Sequence, residues 1–222
     1  MMAFTASLEM LARGVSVSQQ VKSRTNVPVV PYIAAWSAER GPRARVVGGP
    51  YGIGYADEQP YDRDAHGVLW TRSAIRRGVG KPELGRVHPA RQRRAMRLML
   101  CQVCGNAADR TEEGALWLLK DDRGVTSTWP EDLGATHPPV CVPCATESVR
   151  RCPHLRGQFV AVRVRRSVVH GVHGIRYRPT GRGPVPEPEG VTVAYTDPAV
   201  RWVRAFQLVR RLNECTVIEL RG

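Results

Sequence analysis

CQVCG at 101–105 is followed by CVPC at 141–144, with 36 residues between Cys104 and Cys141. Each CxxC pair presents two thiolates from one tight turn, and two such pairs complete a tetrahedron around Zn²⁺. Gly105 suits the turn that lets backbone N–H groups point at sulfur. Cys101, Cys104, Cys141 and Cys144 are therefore the candidate ligands of a structural zinc ion. Four thiolates close the shell and leave no open position for water or substrate. A structural zinc supplies folding energy directly, roughly 10–16 kcal/mol in finger peptides.

Between the pairs, ALWLLK at 115–120 and a segment near 125–129 are predicted to form a hairpin across Asp121-Asp122-Arg123-Gly124. After the second pair, ATESVRR at 145–151 reads as a short helix starting at Cys144. Turn, hairpin and a helix whose first turn carries ligands make a treble-clef or zinc-ribbon arrangement. A redox dithiol or two disulfides are the competing readings of the cysteines. Cys152 and His154 follow closely in CPHL and are further candidate ligands, either as replacements or as half of a second site. Otherwise Cys152 is a buried thiol and His154 a polar capping contact. Cys215, isolated before an apolar run, reads as a core thiol.

The N-terminal stretch MMAFTASLEMLARGVSVS lacks a basic start and a long apolar core. It does not read as a secretory signal, so a cytoplasmic, reducing setting is expected. No apolar run approaches the ~18 residues of a membrane span, and no membrane partner is expected.

The 222-residue chain carries 33 basic and 20 acidic residues, a net charge of +13. That balance attracts polyanions such as DNA or RNA. Only Lys22, Lys81 and Lys120 are lysines, so arginine dominates; a GC-rich genome would also inflate arginine. The densest basic window, 72–97, holds nine basic residues against Glu83 alone. Arg76, Arg77, Arg91, Arg93, Arg94 and Arg97 are the candidate phosphate contacts there, extended by Arg201, Arg204 and Arg211.

Four segments are expected. Residues 1–25 form a loose arm. Residues 26–97 are irregular and β-rich, with an edge strand in NVPVVPYIAAW, an acidic loop and a basic helix from Pro89 to Leu100. That helix should bury Met96, Leu98, Met99 and Leu100. Residues 98–156 form the zinc module. Residues 157–222 are predicted as a β-hairpin turning at His170-Gly171-Val172-His173-Gly174, then a loop at 180–190 and a short strand at 191–195. A C-terminal helix capped by Asp197-Pro198 and a last strand at 216–220 follow. The helix would run to about Asn213 and bury Trp202, Phe206, Val209 and Leu212 on one face. The fold class is α+β.

The strings CQVCG, HPPVCVPCA and CPHL, with LWLL between them and QLVRRL near the end, resemble small uncharacterised zinc-binding proteins encoded in actinobacterial and actinophage genomes. That family implies no particular activity. The core is also similar to the treble clef of HNH endonucleases, which would imply a catalytic histidine between the pairs. Here the only histidine between them is His137, there is no HH or DH doublet, and Ala145 stands where a further histidine is common. A nuclease needs a general base and a divalent-metal ligand beside the phosphate, and this segment offers neither in the expected place.

The acidic patch Asp57, Glu58, Asp62, Asp64 with His66 could bind Mg²⁺, or be a loop paired with nearby arginines. His170 and His173 read as exposed turn residues. The sequence thus predicts a non-catalytic structural-zinc protein that binds nucleic acid. The alternatives are a zinc-stabilised protein–protein adaptor and a divergent HNH-like or acidic-patch nuclease.

Overall fold

The computed structural model describes residues 30–42, 44–152, 155 and 157–220. The predicted arm at 1–25, and His154 with it, lie outside the described residues. The elements in chain order are β1 (Ala34–Trp36), β2 (Val46–Gly49), β3 (Gly52–Tyr55), β4 (Leu69–Trp70), β5 (Pro82–Val87), α1 (Pro89–Leu98), β6 (Arg110–Thr111) and β7 (Gly114–Lys120). They continue with β8 (Gly134–Ala135), α2 (Val142–Arg151), β9 (Phe159–Arg178), β10 (Val185–Ala194) and β11 (Val203–Ile218). The chain is α+β and mostly strand, with two α-helices among the described residues.

The long antiparallel pair β9–β11 is the spine of a seven-stranded sheet. On its outer edge β9 takes β7 along 159–164 and β10 along 171–178. β11 takes β4 at Arg204–Ala205 and β8 at Arg210–Arg211 on its own outer edge. The gap between those two short partners is closed by a side chain. Gln92 of α1 receives the Leu208 N–H at 2.8 Å and donates to the Leu208 carbonyl at 2.9 Å and the Thr136 carbonyl at 2.6 Å. A primary amide offers both a donor and an acceptor, so it can stand in for a strand residue. β1–β5 and β2–β3 form two smaller antiparallel pairs.

β7 shows how the layers arise. Ala115, Trp117 and Leu119 face one cluster with Val160, Val162, Val164 and Leu212. Leu116 and Leu118 face the other side with Ala161, Cys101, Val140 and Ala145. Successive side chains of a strand point to opposite faces, so an apolar run signals burial on both. The second of these clusters carries the cysteine pairs.

Several sequence expectations need correction. The predicted C-terminal helix is a short 3-10 turn, Pro198–Trp202, followed by β11. Asp197 does cap it, accepting from the Ala199 N–H at 2.8 Å. β11 carries register shifts between Ala205 and Gln207 and between Val209 and Arg210. Each bulge adds a residue and flips the phase of the two-residue alternation. Buried positions then fall at 203, 205, 207, 208, 209 and 212, close enough to helical spacing to imitate it.

The predicted turn at 170–174 is continuous strand in β9. Its glycines answer crowding instead: a Cβ at Gly171 would lie 2.1 Å from the Val193 carbonyl oxygen, and one at Gly174 2.3 Å from that of Arg204. The hairpin turn falls at 179–184, and 185–190, predicted as loop, belongs to β10. β7 hairpins with β6 before it, and residues 125–129 form no strand. In α1, Leu98 is 58% exposed, whereas Arg91, Gln92, Ala95 and Met96 are buried.

Candidate metal centre

Cys101–Cys104 form a turn in which the Gly105 N–H donates to the Cys101 carbonyl at 2.9 Å. Gly105 has φ +79°, and a Cβ there would stand 2.9 Å from the Tyr32 ring, so glycine is required twice over. The turn is stitched on both sides. Tyr32 N–H donates to the Val103 carbonyl at 2.8 Å, and Gln102 N–H to the Pro139 carbonyl at 3.0 Å. The second bond brings the segment entering α2 alongside the first pair. Cys141 is the N-cap of α2, Pro143 lies in its first turn, and Cys144 completes that turn.

The four sulfurs converge: all lie within 4.8 Å of one another. Cys104 Sγ and Cys141 Sγ are 3.9 Å apart. A tetrahedron with zinc–sulfur bonds of about 2.3 Å has edges of roughly 3.8 Å, so the cluster fits the ion. Burial pushes the Cys144 thiol up, as do its neighbours Cys141 and Cys101. Burial also pushes up the Cys141 thiol. Cys101 moves the other way: burial opposes ionisation, but the N–H groups of Cys104, Cys141 and Val103 outweigh it. A metal binds the thiolate form, so binding displaces the thiol protons, and a cation held among the sulfurs offsets the repulsion between neighbouring thiolates.

Cys152 caps the far end of α2. Ten residues of helix span about 15 Å, which puts it out of reach of an ion held by the other four. Cys215 is a partly buried thiol near the Pro130 carbonyl, pushed up to about 12 by burial and by Glu131. His137 Nδ1 lies 3.5 Å from Thr136 Oγ1, and its carbonyl accepts from Trp117 Nε1 at 3.0 Å.

The acidic patch is divided among separate partners. Asp57 and Asp62 clamp Arg72. Glu58 holds Arg63. Asp64 accepts from the N–H groups of His66 and Val68, from Trp70 Nε1 and from the Tyr195 hydroxyl. His66 stacks on Tyr195 at 3.8 Å. These carboxylates hold the fold together and do not converge on one point. His170 and His173 lie within β9, against Arg211 and Thr192 respectively.

The arginines separate into two groups. Arg91 is buried, binding both oxygens of Glu39 at 2.5 and 2.6 Å and the carbonyls of Tyr32 and Ala34. It is a structural cation, which corrects its expected place on the surface. Arg93 lies over Trp70 at 4.5 Å, half-buried, with burial pushing it down. Arg204 and Arg211 are also half-buried. Arg76, Arg77, Arg94, Arg97 and Arg201 are exposed. Tyr32, beside the cysteine turn, gathers two of them: Arg77 lies 5.4 Å over its ring, and Arg94 Nη1 is 3.4 Å from its hydroxyl.

No family model, curated protein or solved structure matches this chain. No helix among the described residues is long and apolar enough to cross a membrane.

Proposed function

We propose that the protein is a structural-zinc protein that binds nucleic acid without catalysing a reaction. Cys101, Cys104, Cys141 and Cys144 hold Zn²⁺ in a treble-clef-like core; the order of knuckle, β6–β7 hairpin and ligand-bearing helix supports that reading. The observation that carries nucleic-acid binding is charge placement. Several other arginines are spent: Arg40, Arg63, Arg72, Arg91, Arg123, Arg163 and Arg176 all hold carboxylates. Arg76, Arg77, Arg94 and Arg97 hold none among the described residues, and Arg77 and Arg94 lie beside the cysteine turn at Tyr32. Unneutralised arginines beside an aromatic ring suit phosphates first and a base second.

The test is a salt titration of binding to a DNA duplex and a single-stranded RNA. Each neutralised phosphate contributes about −0.9 to the log–log slope on B-DNA and about −0.7 on single strands. Replacing Arg94 and Arg97 with alanine should weaken binding and flatten the slope by up to about two such contributions. Binding that ignores salt, or a slope the double variant leaves unchanged, would reject the proposal.

One observation favours the adaptor reading. Residues 165–169 of β9, between β7 and β10, have no strand partner on that edge among the described residues, and Val168 and Val169 are exposed. An open edge can accept a strand from another protein.

A further inference from the structure

Away from the cysteines, a cleft of about 650 Å³ opens between the main sheet and the two small strand pairs. Its walls come from β1, the segment Arg40–Pro42 with Ala44, Tyr55, Thr71–Ser73, Gly85–Pro89 leading into α1, and Arg204, Phe206 and Gln207 of β11. That volume lies within the range of small-ligand sites.

Its charges are nearly all accounted for. Arg72 is held by Asp57 and Asp62. Arg40 and Arg86 share Glu83. Glu39 is bound by Arg91. His88 accepts the Arg91 N–H through Nδ1, so its Nε2 is the atom that donates to the Ala74 carbonyl at 3.0 Å, and the ring is neutral. Arg204 is the exception. Its Nε is buried without a hydrogen-bond partner, and no carboxylate among the described residues pairs with it. Its guanidinium lies 5.6 Å from the Tyr177 ring. A buried donor without an acceptor costs free energy in the empty protein and recovers it when an acceptor arrives. The fitting acceptor is an anion, because a guanidinium fork matches phosphate oxygens.

The second half of the ligand is set by Phe206. It lines the same cleft two residues further along β11, roughly 7 Å away by strand rise. It is half-buried, with His173 at its edge, 5.1 Å between ring centroids. Ala35, Ala44, Val87 and Pro89 add apolar wall. A cation and an aromatic ring spaced along one wall match a phosphate joined through a sugar to a planar base.

We propose that this cleft binds a nucleotide, with its phosphate on Arg204 and its base against Phe206. Arg94 and Arg97 line no part of it, so this inference is separate from the surface beside the cysteine turn. The nucleotide is either free or the terminal residue of a strand; both share this chemistry.

Calorimetric titration of the full zinc-loaded chain with uridine 5′-monophosphate tests it, with uridine and inorganic phosphate titrated separately. The monophosphate should bind saturably and more tightly than either part. Arg204→Met keeps the apolar stem and removes the cation; it should weaken binding at least tenfold. Phe206→Ala should weaken it about tenfold through a different contact, so a folding defect in one variant does not remove the test. Arg182→Ala, an exposed arginine outside the cleft, should have no effect here. A 5′-phosphorylated decanucleotide that displaces the monophosphate assigns the site to a strand end; failure to displace it assigns a free nucleotide, and either result upholds the cleft. No saturable binding by the wild type would overturn the proposal. So would binding that Arg204→Met and Phe206→Ala leave unchanged, or inorganic phosphate binding as tightly as the monophosphate.

Discussion

At the residue scale, the buried Glu39–Arg91 pair has the clearest consequences. Burial alone would push the Glu39 carboxyl up, but the Arg91 guanidinium, the Trp36 N–H and nearby His88 hold it at about 2. Its folded value lies below the ordinary 4.5, so its stabilisation is complete above that pH and is lost as pH falls toward 2. His88 acts in the same direction. Burial pushes it below 6.5, so stability falls as acid forces a proton onto the ring. Urea denaturation across pH 2–7 should show stability falling with acid, and Glu39→Gln should flatten the part below pH 4.5. At pH 7 Glu39→Gln should cost about 3–5 kcal/mol, because it strands the buried Arg91 charge. A variant as stable as the wild type at pH 7 would contradict the pairing. The sequence shows none of this: Glu39 and Arg91 stand 52 residues apart. The four cysteines were legible because the spacing within each CxxC pair is itself the geometry of a turn.

At the element scale, α1 works as much through Gln92 as through its apolar residues. Gln92→Ala would leave Leu208 N–H, Leu208 C=O and Thr136 C=O without their partner at the gap between β4 and β8. Buried groups left unpaired cost about 1–3 kcal/mol each, and a chemical melt with zinc bound should show a loss of at least that size. Gly174→Val forces a side chain against the Arg204 backbone and should cost about 1–3 kcal/mol or more. A neutral effect would mean the sheet does not crowd there. Local signals found α1, α2 and β7, because capping proline and an apolar run act within a few residues. They failed on β11, where two bulges break the alternation that marks a strand. They failed on β9, where glycines that admit neighbouring backbone look like turn residues.

At the scale of the whole molecule, the sheet joins the predicted segments. β4 comes from 26–97, β7 from 98–156, and β9, β10 and β11 from 157–222, and the cysteine cluster packs on one face at the β7 end. The class α+β was legible from composition and pattern. This assembly was not, since it depends on pairings more than 100 residues apart such as Leu69 with Arg204. Zinc removal should therefore loosen β7 and α2 together, giving a chelator-induced loss of the cooperative melt. The central claim, that four thiolates hold one structural zinc, is tested most directly by metal content. Untagged protein should contain one zinc per chain, retained in Cys152→Ser and lost in Cys104→Ser. No zinc in the wild type, or a full complement in Cys104→Ser, would contradict it.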